Sequence, residues 1–464
     1  MTGTCPEDDK GVMLQIVPET MRSWVRLTTL AFSASVLAAG CASTPPAPDR
    51  SAVGRALDER HGANAASLSA PATWTVPQGI SLERPLSVDD AVTLALWNNQ
   101  AYHAALASLG IARADLIQAG MIRNPALSLF FPWGPKQLEA AVSWPIEQLW
   151  QRPARMRDAQ LNAEAVAQNL VGSGLTLIAD VKLAYAENVA ASAGESLTSD
   201  QAKLASQVAD LADGRFRAGD ISDLDRRLAR IDAVQLQAAA LGRAAARSLA
   251  MARLRALLGL TPDGPEIRLG GRVPTVAPAC ADRPALIKTA LAARPDVRAA
   301  ELAIEAAGAR AGLARDSIFT LTAILDMNGE GREGFEAGPG IGAELPIFSQ
   351  QQGARARASA DLEQASRRYL AVRAAVVAEL DVAWVQRQEA GRVQALFGDE
   401  AVRSLETERA QGDGLFEAGE ISLLDLLQTR RRLIDAELAK LDAALASDRA
   451  TIRLEQAVGR SCAE

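Results

Sequence analysis

The amino-acid sequence predicts a mainly α-helical protein with short β-strand inserts, built from one unit of about 200 residues that occurs twice. The first observation behind this prediction is an internal repeat, because residues 216–225 match residues 416–425 at an offset of 200. The second is a helical spacing of apolar residues over very long stretches, and the third is four short segments of alternating polarity. Two copies are too few for a solenoid, so the repeat indicates duplication within one fold.

The composition excludes several classes of function. The 464 residues carry a net charge of -7 with both signs interspersed, which is not the basic surface of a nucleic-acid-binding protein. There are 2 histidines, so an imidazole-based metal site and a Ser-His-Asp triad are both disfavoured. The sequence has no Gly-rich phosphate loop and no nucleophile elbow. We therefore expect no enzyme activity, no metal site and no cofactor.

The N-terminus has the pattern of an export signal. A basic segment, residues 21–26, precedes about a dozen apolar residues, which are too few to span a membrane as a helix. Residues 1–40 are therefore expected to form a signal peptide, with translation starting at Met21. The segment ending at Cys41 resembles a lipoprotein signal-peptidase box, which predicts a covalent lipid on Cys41, and Ala42 after it implies sorting to the outer membrane. The alternative is an ordinary secretory signal with a chance cysteine.

The rest of the chain divides into a tether and two repeats. Residues 41–84 are rich in Pro, Ala and Ser and predict an extended, lipidated tether. The first repeat is expected at 85–283 and the second at 284–464. Each has a helical hairpin, two strands, a long helix, a Gly-containing turn and another long helix. The expected strands are 126–133, 138–146, 318–328 and 335–347, and the expected first long helices are 147–213 and 348–413.

Helices of this length need partners along their sides. At 1.5 Å per residue, roughly 66 residues reach about 100 Å, which packing rather than propensity must stabilise. The second of these helices has apolar residues at the spacing of a coiled coil, namely Leu362, Ala365, Tyr369, Val372, Val376, Leu380 and Ala383. An isolated cytosolic coiled coil is the alternative, which the signal peptide and the strands oppose.

The matching turns predict helical hairpins. Gly219 and Gly419 suit the left-handed conformation that often ends a helix. Ser222 with Asp225, and Ser422 with Asp425, then have the spacing of capping boxes that open the next helix.

The strands have the alternation of a membrane barrel, with an apolar face for lipid and a polar or small face for the lumen. Four strands cannot close a barrel, and open edges in lipid would leave backbone groups unpaired, so strands from other copies are required. Three copies would give about twelve strands, within the known range of barrels. A soluble sheet packed on the helices is the alternative.

The duplicated helical hairpins, the Leu-Pro-Ile-Phe run at 345–348 and the Ala-Gly-(Asp/Glu)-Ile-Ser turns resemble the TolC-like outer membrane efflux factors, over nearly all of the chain after residue 85. Residues 110–125 look most like the heavy-metal efflux branch. The resemblance implies a homotrimer with a twelve-stranded outer-membrane β-barrel and a periplasmic α-barrel. It further implies a passive exit duct, supplied by an inner-membrane pump of the RND type through a periplasmic adaptor.

The resemblance also implies roles for residues at the turns. The two Gly turns would lie at the periplasmic tip and contact the adaptor, and Asp225 and Asp425 match acidic positions near the constriction. Gln428 stands where a second acid is usual, and Phe416 stands where a gating tyrosine is common. Helix capping is the alternative role for both Asp residues, and the two roles are compatible.

Three smaller expectations remain. Cys280 and Cys462 could form a disulfide, since the exported chain would enter an oxidising compartment. His103 is expected on the surface of an Ala-rich helix. The alternative function is a structural or scaffolding lipoprotein of the same fold without an open pore, and the short first strand pair leaves this alternative open. The exported substrate and the identity of the pump are not determined by the residues.

Overall fold

The computed structural model describes residues 46–62, 73–131, 133, 138–271, 282–329, 335–398, 404, 407–408, 411–412, 414–416, 418 and 420–460. From Ala47 onward the chain forms one compact unit. The helices are α1 (Arg50–His61), α2 (Val88–Asn98), α3 (Gln100–Leu106), α4 (Ser108–Gly120), α5 (Gln148–Ala218), α6 (Asp223–Leu257), α7 (Arg283–Ala293), α8 (Pro295–Asp316), α9 (Gln352–Leu396) and α10 (Leu423–Val458). The strands are β1 (Ala126–Phe130), β2 (Leu138–Pro145), β3 (Leu321–Gly329) and β4 (Phe335–Ala343).

The longest element, α5, has 71 residues and is therefore about 106 Å long. Gly219 terminates it, because its backbone is left-handed with φ of 84° and its N–H donates to the carbonyls of Arg215 and Phe216. A residue with a Cβ would be strained in this conformation. The prediction of a glycine terminator is confirmed here, and the helix ends at Ala218 rather than at residue 213.

The corresponding helix of the second repeat, α9, is shorter than the predicted 348–413. It starts at Gln352, because Gln351 has φ of 56° and a helix cannot continue through this left-handed conformation. It ends at Leu396, and helical residues occur again at 404, 407–408, 411–412 and 414–416.

The strand boundaries also differ from the prediction. β1 ends at Phe130 instead of 133, β2 at Pro145 instead of 146, and β4 at Ala343 instead of 347. β3 runs from Leu321 to Gly329 rather than over 318–328. Alternation of residue types continues past the point where a neighbouring strand pairs with the backbone, so it overestimates most of these strands.

The prediction of an extended tether over 41–84 is wrong at residues 50–61, which form helix α1. The Asp49 side chain caps this helix by accepting from the N–H of Ala52 at 2.9 Å. Val53 and Leu57 are almost completely buried in the main core. Packing of these two side chains therefore stabilises a helix that the local composition did not predict.

The main core lies where α1 to α4 and the end of α6 pack on the middle of α5. Tyr185 of α5 is 1% exposed, and its hydroxyl donates to the carbonyl of Leu86 at 2.8 Å and contacts that of Gly270. Leu86 also forms a parallel bridge with Leu269. One phenol thereby connects the start of the first repeat, the long helix and the segment after α6.

His103 is buried rather than on the surface as predicted. It is 5% exposed, and its Nε2 lies 2.8 Å from the carbonyl oxygen of Trp97. The Ala-rich sequence around it gave no sign that α3 would pack against the main core.

A second core joins the two ends of the second repeat. α7 and the start of α8 pack against α9 and the end of α10. Val376, Leu380 and Ala383 are buried in it, while Tyr369 and Val372 are partly buried. The predicted coiled-coil spacing therefore identified the buried side of α9 correctly.

Among the described residues, no helix is both long and apolar enough to cross a membrane. The same part of the chain contains no group of three or more His, Cys, Asp and Glu side chains arranged to hold a metal ion.

Helix α1 approaches α5 closely at Gly174. A Cβ there would lie 2.8 Å from Leu57 Cδ1 and 2.8 Å from the Tyr102 hydroxyl, whereas a Cβ at Gly214 on the same helix would meet nothing within 4 Å. We expect Gly174→Ala to lower the free energy of unfolding by about 1–3 kcal/mol. Gly214→Ala should raise it by about 0.5–1 kcal/mol, since alanine favours helix. Equal shifts of the two unfolding midpoints in circular dichroism would contradict the close packing of α1.

His61 should make stability depend on pH. Burial, together with the charges of Lys182 and Arg60, lowers the pKa of His61 from 6.5 to about 4. Between these two pKa values His61 is protonated in the unfolded chain but not in the folded chain. The free energy of unfolding is therefore highest above pH 6.5 and falls as the pH drops toward 4. His61→Gln should recover about 1–3 kcal/mol of the loss at pH 4.5 and change little at pH 7. Denaturant unfolding at both pH values measures this, and an equal effect at both would exclude titration of His61.

Candidate functional site

The four strands form one antiparallel sheet in the order β1-β2-β3-β4. The register aligns Leu127 with Val142, Val142 with Leu325, and Leu325 with Pro339. The two repeats therefore contribute one hairpin each, and the hairpins pair directly through β2 and β3.

This register places most of the apolar positions on one side, which we name the apolar face. Because side chains alternate along a strand and aligned residues share a side, the faces can be assigned through the pairing. The apolar face contains Leu127, Leu129, Leu138, Ala140, Val142, Trp144, Leu321, Ala323, Leu325, Met327, Ala337, Pro339, Ile341 and Ala343. Several of these side chains are strongly exposed, such as Leu127 at 62% and Ile341 at 75%.

The opposite side, named the polar face, is small or hydrophilic. It contains Ala126, Ser128, Phe130, Glu139, Ala141, Ser143, Pro145, Thr322, Ile324, Asp326, Asn328, Glu336, Gly338, Gly340 and Gly342. Glu139 aligns with Asn328, and Asn328 aligns with Glu336, so two carboxylates flank one amide across three strands. Asn328 also donates to Asp326 at 2.9 Å. A face that is mostly polar or small, opposite one that is apolar, is the arrangement of a sheet between water and lipid.

Exposed aromatic residues lie at both ends of the sheet. Phe130, Phe131 and Trp133 are at the β1–β2 turn, and Trp133 is fully exposed. Trp150 is 46% exposed just after β2, at the start of α5. Aromatic side chains at two levels are typical of the two interfaces of a membrane.

The far ends of the long helices form two similar turns. Ser222 accepts from the N–H of Asp225 at 3.2 Å, and the Asp225 carboxylate accepts from the Ser222 hydroxyl at 2.8 Å and from its N–H at 3.3 Å. Ser422 and Asp425 repeat this arrangement, with a hydroxyl-to-carboxylate distance of 2.7 Å. Both capping boxes are therefore confirmed, and both carboxylates have hydrogen-bond partners within their own turns. Gly419 lies outside the described residues.

A contact between the repeats was not predicted at this tip. The guanidinium of Arg215 lies 5.1 Å from the centre of the Phe416 ring, and that of Arg226 lies 4.9 Å from the centre of the Phe216 ring. Leu427 packs against a cluster of alanines from α5 and α6. Equivalent phenylalanines in the two repeats thus each lie below an arginine, a pairing that only spatial proximity reveals.

The remaining candidates are not brought together by the described structure. Gln428 is exposed three residues beyond Asp425. Cys41, Cys280 and Cys462 lie outside the described residues, so lipid attachment and the disulfide stay predictions.

Comparison with known proteins supports what the geometry indicates. Residues 286–460, nearly the whole second repeat, match the family described as outer membrane efflux protein. The chain is therefore similar, over its second repeat, to the members of this family. It is a family of transport channels rather than of enzymes, and the resemblance to TolC-like efflux factors is confirmed.

Three similar proteins show how far the likeness extends. The cobalt-zinc-cadmium resistance protein CzcC of Cupriavidus metallidurans is 25% identical over 382 residues, which are 81% of this chain and 90% of that protein. The crystal structure of CusC superimposes with a TM-score of 0.67 at 20% identity, covering 85% of this chain and 98% of CusC. The crystal structure of VceC of Vibrio cholerae superimposes with a TM-score of 0.65 at 20% identity, covering 81% of this chain and 96% of VceC. The predicted fold class is thereby confirmed.

The capping boxes should be separable from any role in transport. Ser222→Ala removes the acceptor for the N–H of Asp225, so we expect the free energy of unfolding to fall by about 1 kcal/mol. Ser222→Asn should change the free energy of unfolding by only a few tenths of a kcal/mol, because Asn also caps helices. Denaturant unfolding of both variants measures the difference, and an equal loss would show that the hydroxyl does not act as a cap.

Proposed function

We propose that this chain is one subunit of a homotrimeric outer-membrane channel, which acts as the passive exit duct of a tripartite efflux system. One observation supports this most directly: a four-stranded sheet with an entirely apolar face is attached to a helix about 106 Å long. The sheet suits a membrane, and the helix is long enough to cross a wide aqueous space.

The strand count supports the trimer. β1 and β4 each have one edge without a neighbouring strand in the described chain. In lipid every unpaired backbone group costs several kcal/mol, so these edges must pair with other copies. Three copies would close a barrel of about twelve strands. β2 to β4 have 8 or 9 residues, close to the length that a tilted membrane strand needs, while β1 has 5.

The helices at the two flanks support lateral contact between copies as well. α6 packs mainly on α5, and its other side exposes Leu224, Ile231, Val234, Leu241 and Leu249 at spacings of three, seven and eight residues. α9 similarly exposes Leu370, Val382, Val385, Val393 and Leu396. Exposed apolar rows of this kind need a helical partner. In a ring of three copies, α6 of one copy would face α9 of the next.

The tip would form the narrow end of the duct. α5, α6 and α10 meet there in two hairpins, and we infer that the adaptor binds near Gly219, Gly419, Ser222 and Ser422. Three copies would bring three Asp225 and three Asp425 carboxylates around one axis, which favours cations. The energy would come from an inner-membrane pump of the RND type.

The cargo that this geometry favours is a cation. Glu139, Asp326 and Glu336 lie on the polar face, which would line the barrel lumen. The relative named cobalt-zinc-cadmium resistance protein agrees with a divalent metal ion as the exported species. A lipid on Cys41 would hold each copy at the outer membrane, with most of its mass in the periplasm.

The decisive test is single-channel conductance of the purified, detergent-extracted protein in planar bilayers, with its oligomeric mass measured alongside. We expect a trimer with discrete, cation-preferring conductance steps. A trimer that stays silent, even after both Asp225 and Asp425 are substituted to loosen the tip, would support a scaffold without an open pore. A monomer in detergent and in bilayers would contradict the channel itself.

The role of Asp425 can be tested in the same assay. Asp425→Asn keeps a side chain that can accept the cap hydrogen bonds but removes one charge per copy, so we expect cation preference to fall by about twofold or more. Asp435→Asn removes the same charge about 15 Å further along α10 and is the matched control. If Asp425→Asn leaves both conductance and cation preference unchanged, Asp425 acts only as a helix cap.

A further inference from the structure

The hydrogen bonds of the sheet identify which residues face its two free edges. The N–H of Ile146 donates to Leu321 at 2.9 Å, and that of Glu344 donates to Thr320 at 3.3 Å. In an antiparallel sheet, residues whose backbone N–H and C=O groups bond a given neighbouring strand alternate with residues whose backbone groups point away from that strand. The even-numbered residues of β4 therefore bond β3, and the odd-numbered ones point outward. In β2 the even-numbered residues bond β3, so the odd-numbered residues bond the even-numbered residues of β1. The backbone groups of Leu127 and Leu129 in β1 therefore point to the other free edge.

A proline agrees with this assignment. Pro339 lies at an outward position of β4, where its missing N–H interrupts no hydrogen bond within the sheet. Pro125 directly precedes β1 at a position of the same parity as Leu127. The free edge of β4 thus has a proline at an outward position, and a second proline lies directly before β1, so an incoming strand meets fewer donors and fewer registers remain available.

Pairing of β1 with β4 of a second copy brings particular side chains together on the polar face. Across such a seam, the outward backbone groups of β1 would bond the outward backbone groups of β4. Leu127 and Leu129 would therefore bond odd-numbered residues of β4. Even-numbered residues then oppose even-numbered residues, and Phe130 of one copy must face the row formed by Glu336, Gly338, Gly340 and Gly342 of the other.

The register can be narrowed further. Leu127 aligns through Val142 and Leu325 with Pro339, so an unstaggered seam would place Leu127 opposite that proline. Strands of a closed barrel tilt by about 35–45°, which for about twelve strands needs a stagger of roughly four to six residues per copy. A stagger toward the end of β4 places Phe130 opposite Gly340 or Gly342. A stagger of four residues toward the end of β4 keeps residues 127–130 opposite β4, whereas the same stagger in the other direction keeps only residues 126 and 127 opposite it.

The surface at these glycines is already prepared for an apolar side chain. Phe130 and Ile324 are the large apolar residues of the polar face, and Phe130 is 58% exposed. Ile324 leans over the glycines, since a Cβ at Gly342 would lie 3.3 Å from Ile324 Cδ1 and one at Gly340 would lie 3.8 Å from Ile324 Cβ. An aromatic ring placed beside Ile324 would cover the glycine backbone and remove both apolar groups from water.

We propose that β1 of one copy pairs with β4 of a second copy, and that Phe130 of the first lies over Gly340 and Gly342 of the second, beside the Ile324 of that second copy. This inference rests on the proposed trimer and adds the residues that determine its seam. Phe130 is a positioning residue here, because it selects the register in which the barrel closes. Its ring would line the lumen, so it also narrows the duct at each of the seams.

The test uses intersubunit disulfides in the full-length protein. A variant with Phe130→Cys is co-expressed with a variant carrying Gly340→Cys, and separately with one carrying Gly342→Cys. Opposed residues in an antiparallel pair have Cβ atoms about 4.5–5.5 Å apart, which suits a disulfide. Within one chain β1 and β4 are separated by two strands, about 14 Å, so only a contact between copies gives a product.

Phe131→Cys is the matched control, because Phe131 is the next residue along the chain and lies beyond the end of β1, where pairing with β2 has stopped. We expect Phe130→Cys to give about tenfold more cross-linked product than Phe131→Cys with the same partner variant. Similar yields from both cysteines, or no product from either in a protein that remains trimeric, would overturn the seam while leaving the trimer intact. If the wild type itself is not trimeric by mass, the proposed channel fails first, and the seam fails with it.

A second measurement covers the case in which a cysteine variant does not fold. We compare the fraction that remains trimeric at one detergent concentration. This fraction should be about tenfold smaller for Phe130→Ala than for the wild type or for Phe131→Ala. Phe130→Leu, which keeps an apolar side chain over the glycines, should restore assembly in large part. Equal dissociation of Phe130→Ala and Phe131→Ala, with circular dichroism showing both folded, would reject the role of Phe130.

Discussion

Backbone hydrogen bonding at the edges of the sheet is the constraint on which the rest of this architecture depends. Within the part of the chain that the structure describes, one copy supplies four strands, one apolar face and two edges whose N–H and C=O groups lack a neighbouring strand. Water could solvate those edges, but the hydrocarbon of a membrane cannot. If the apolar face is in contact with lipid, the edges have to be paired, and the sheet can only be part of a larger closed barrel. The trimer that we propose follows from this requirement.

The helices meet a related requirement by different means. α6, α8 and α10 and the small helices around its middle pack against α5, yet α6 and α9 each keep an exposed apolar row. Alanine and glycine at the contacts allow close approach, as at Gly174, where the absent side chain leaves room for Leu57 and Tyr102. The described chain therefore has unpaired backbone groups at the edges of its sheet and exposed apolar rows on α6 and α9. Both features indicate lateral association of copies.

The tip shows how duplication and divergence combine. The capping boxes are the same in the two repeats down to similar distances, because each needs only four consecutive residues. The surroundings differ, since Arg226 of the first repeat covers Phe216 of its own hairpin, while Arg215 of the first repeat covers Phe416 of the second. Local structure was thus duplicated with the sequence, whereas the contact between hairpins belongs to the assembled fold. The two capping carboxylates would lie at the narrow end of the proposed duct.

Local sequence alone determined the elements that depend on neighbouring residues. The glycine terminator at Gly219, both capping boxes, the buried row of α9 and the alternation of the strands all follow from short-range periodicity and capping chemistry, and the structure contains each of them. Tertiary structure decided the rest, because burial depends on distant partners. Helix α1 exists through packing of Val53 and Leu57, His103 is buried by its neighbours, and Arg215 meets Phe416 only after two hairpins come together. Strand ends moved for the same reason, since a strand ends where its paired neighbour ends and not where its own pattern of side chains does.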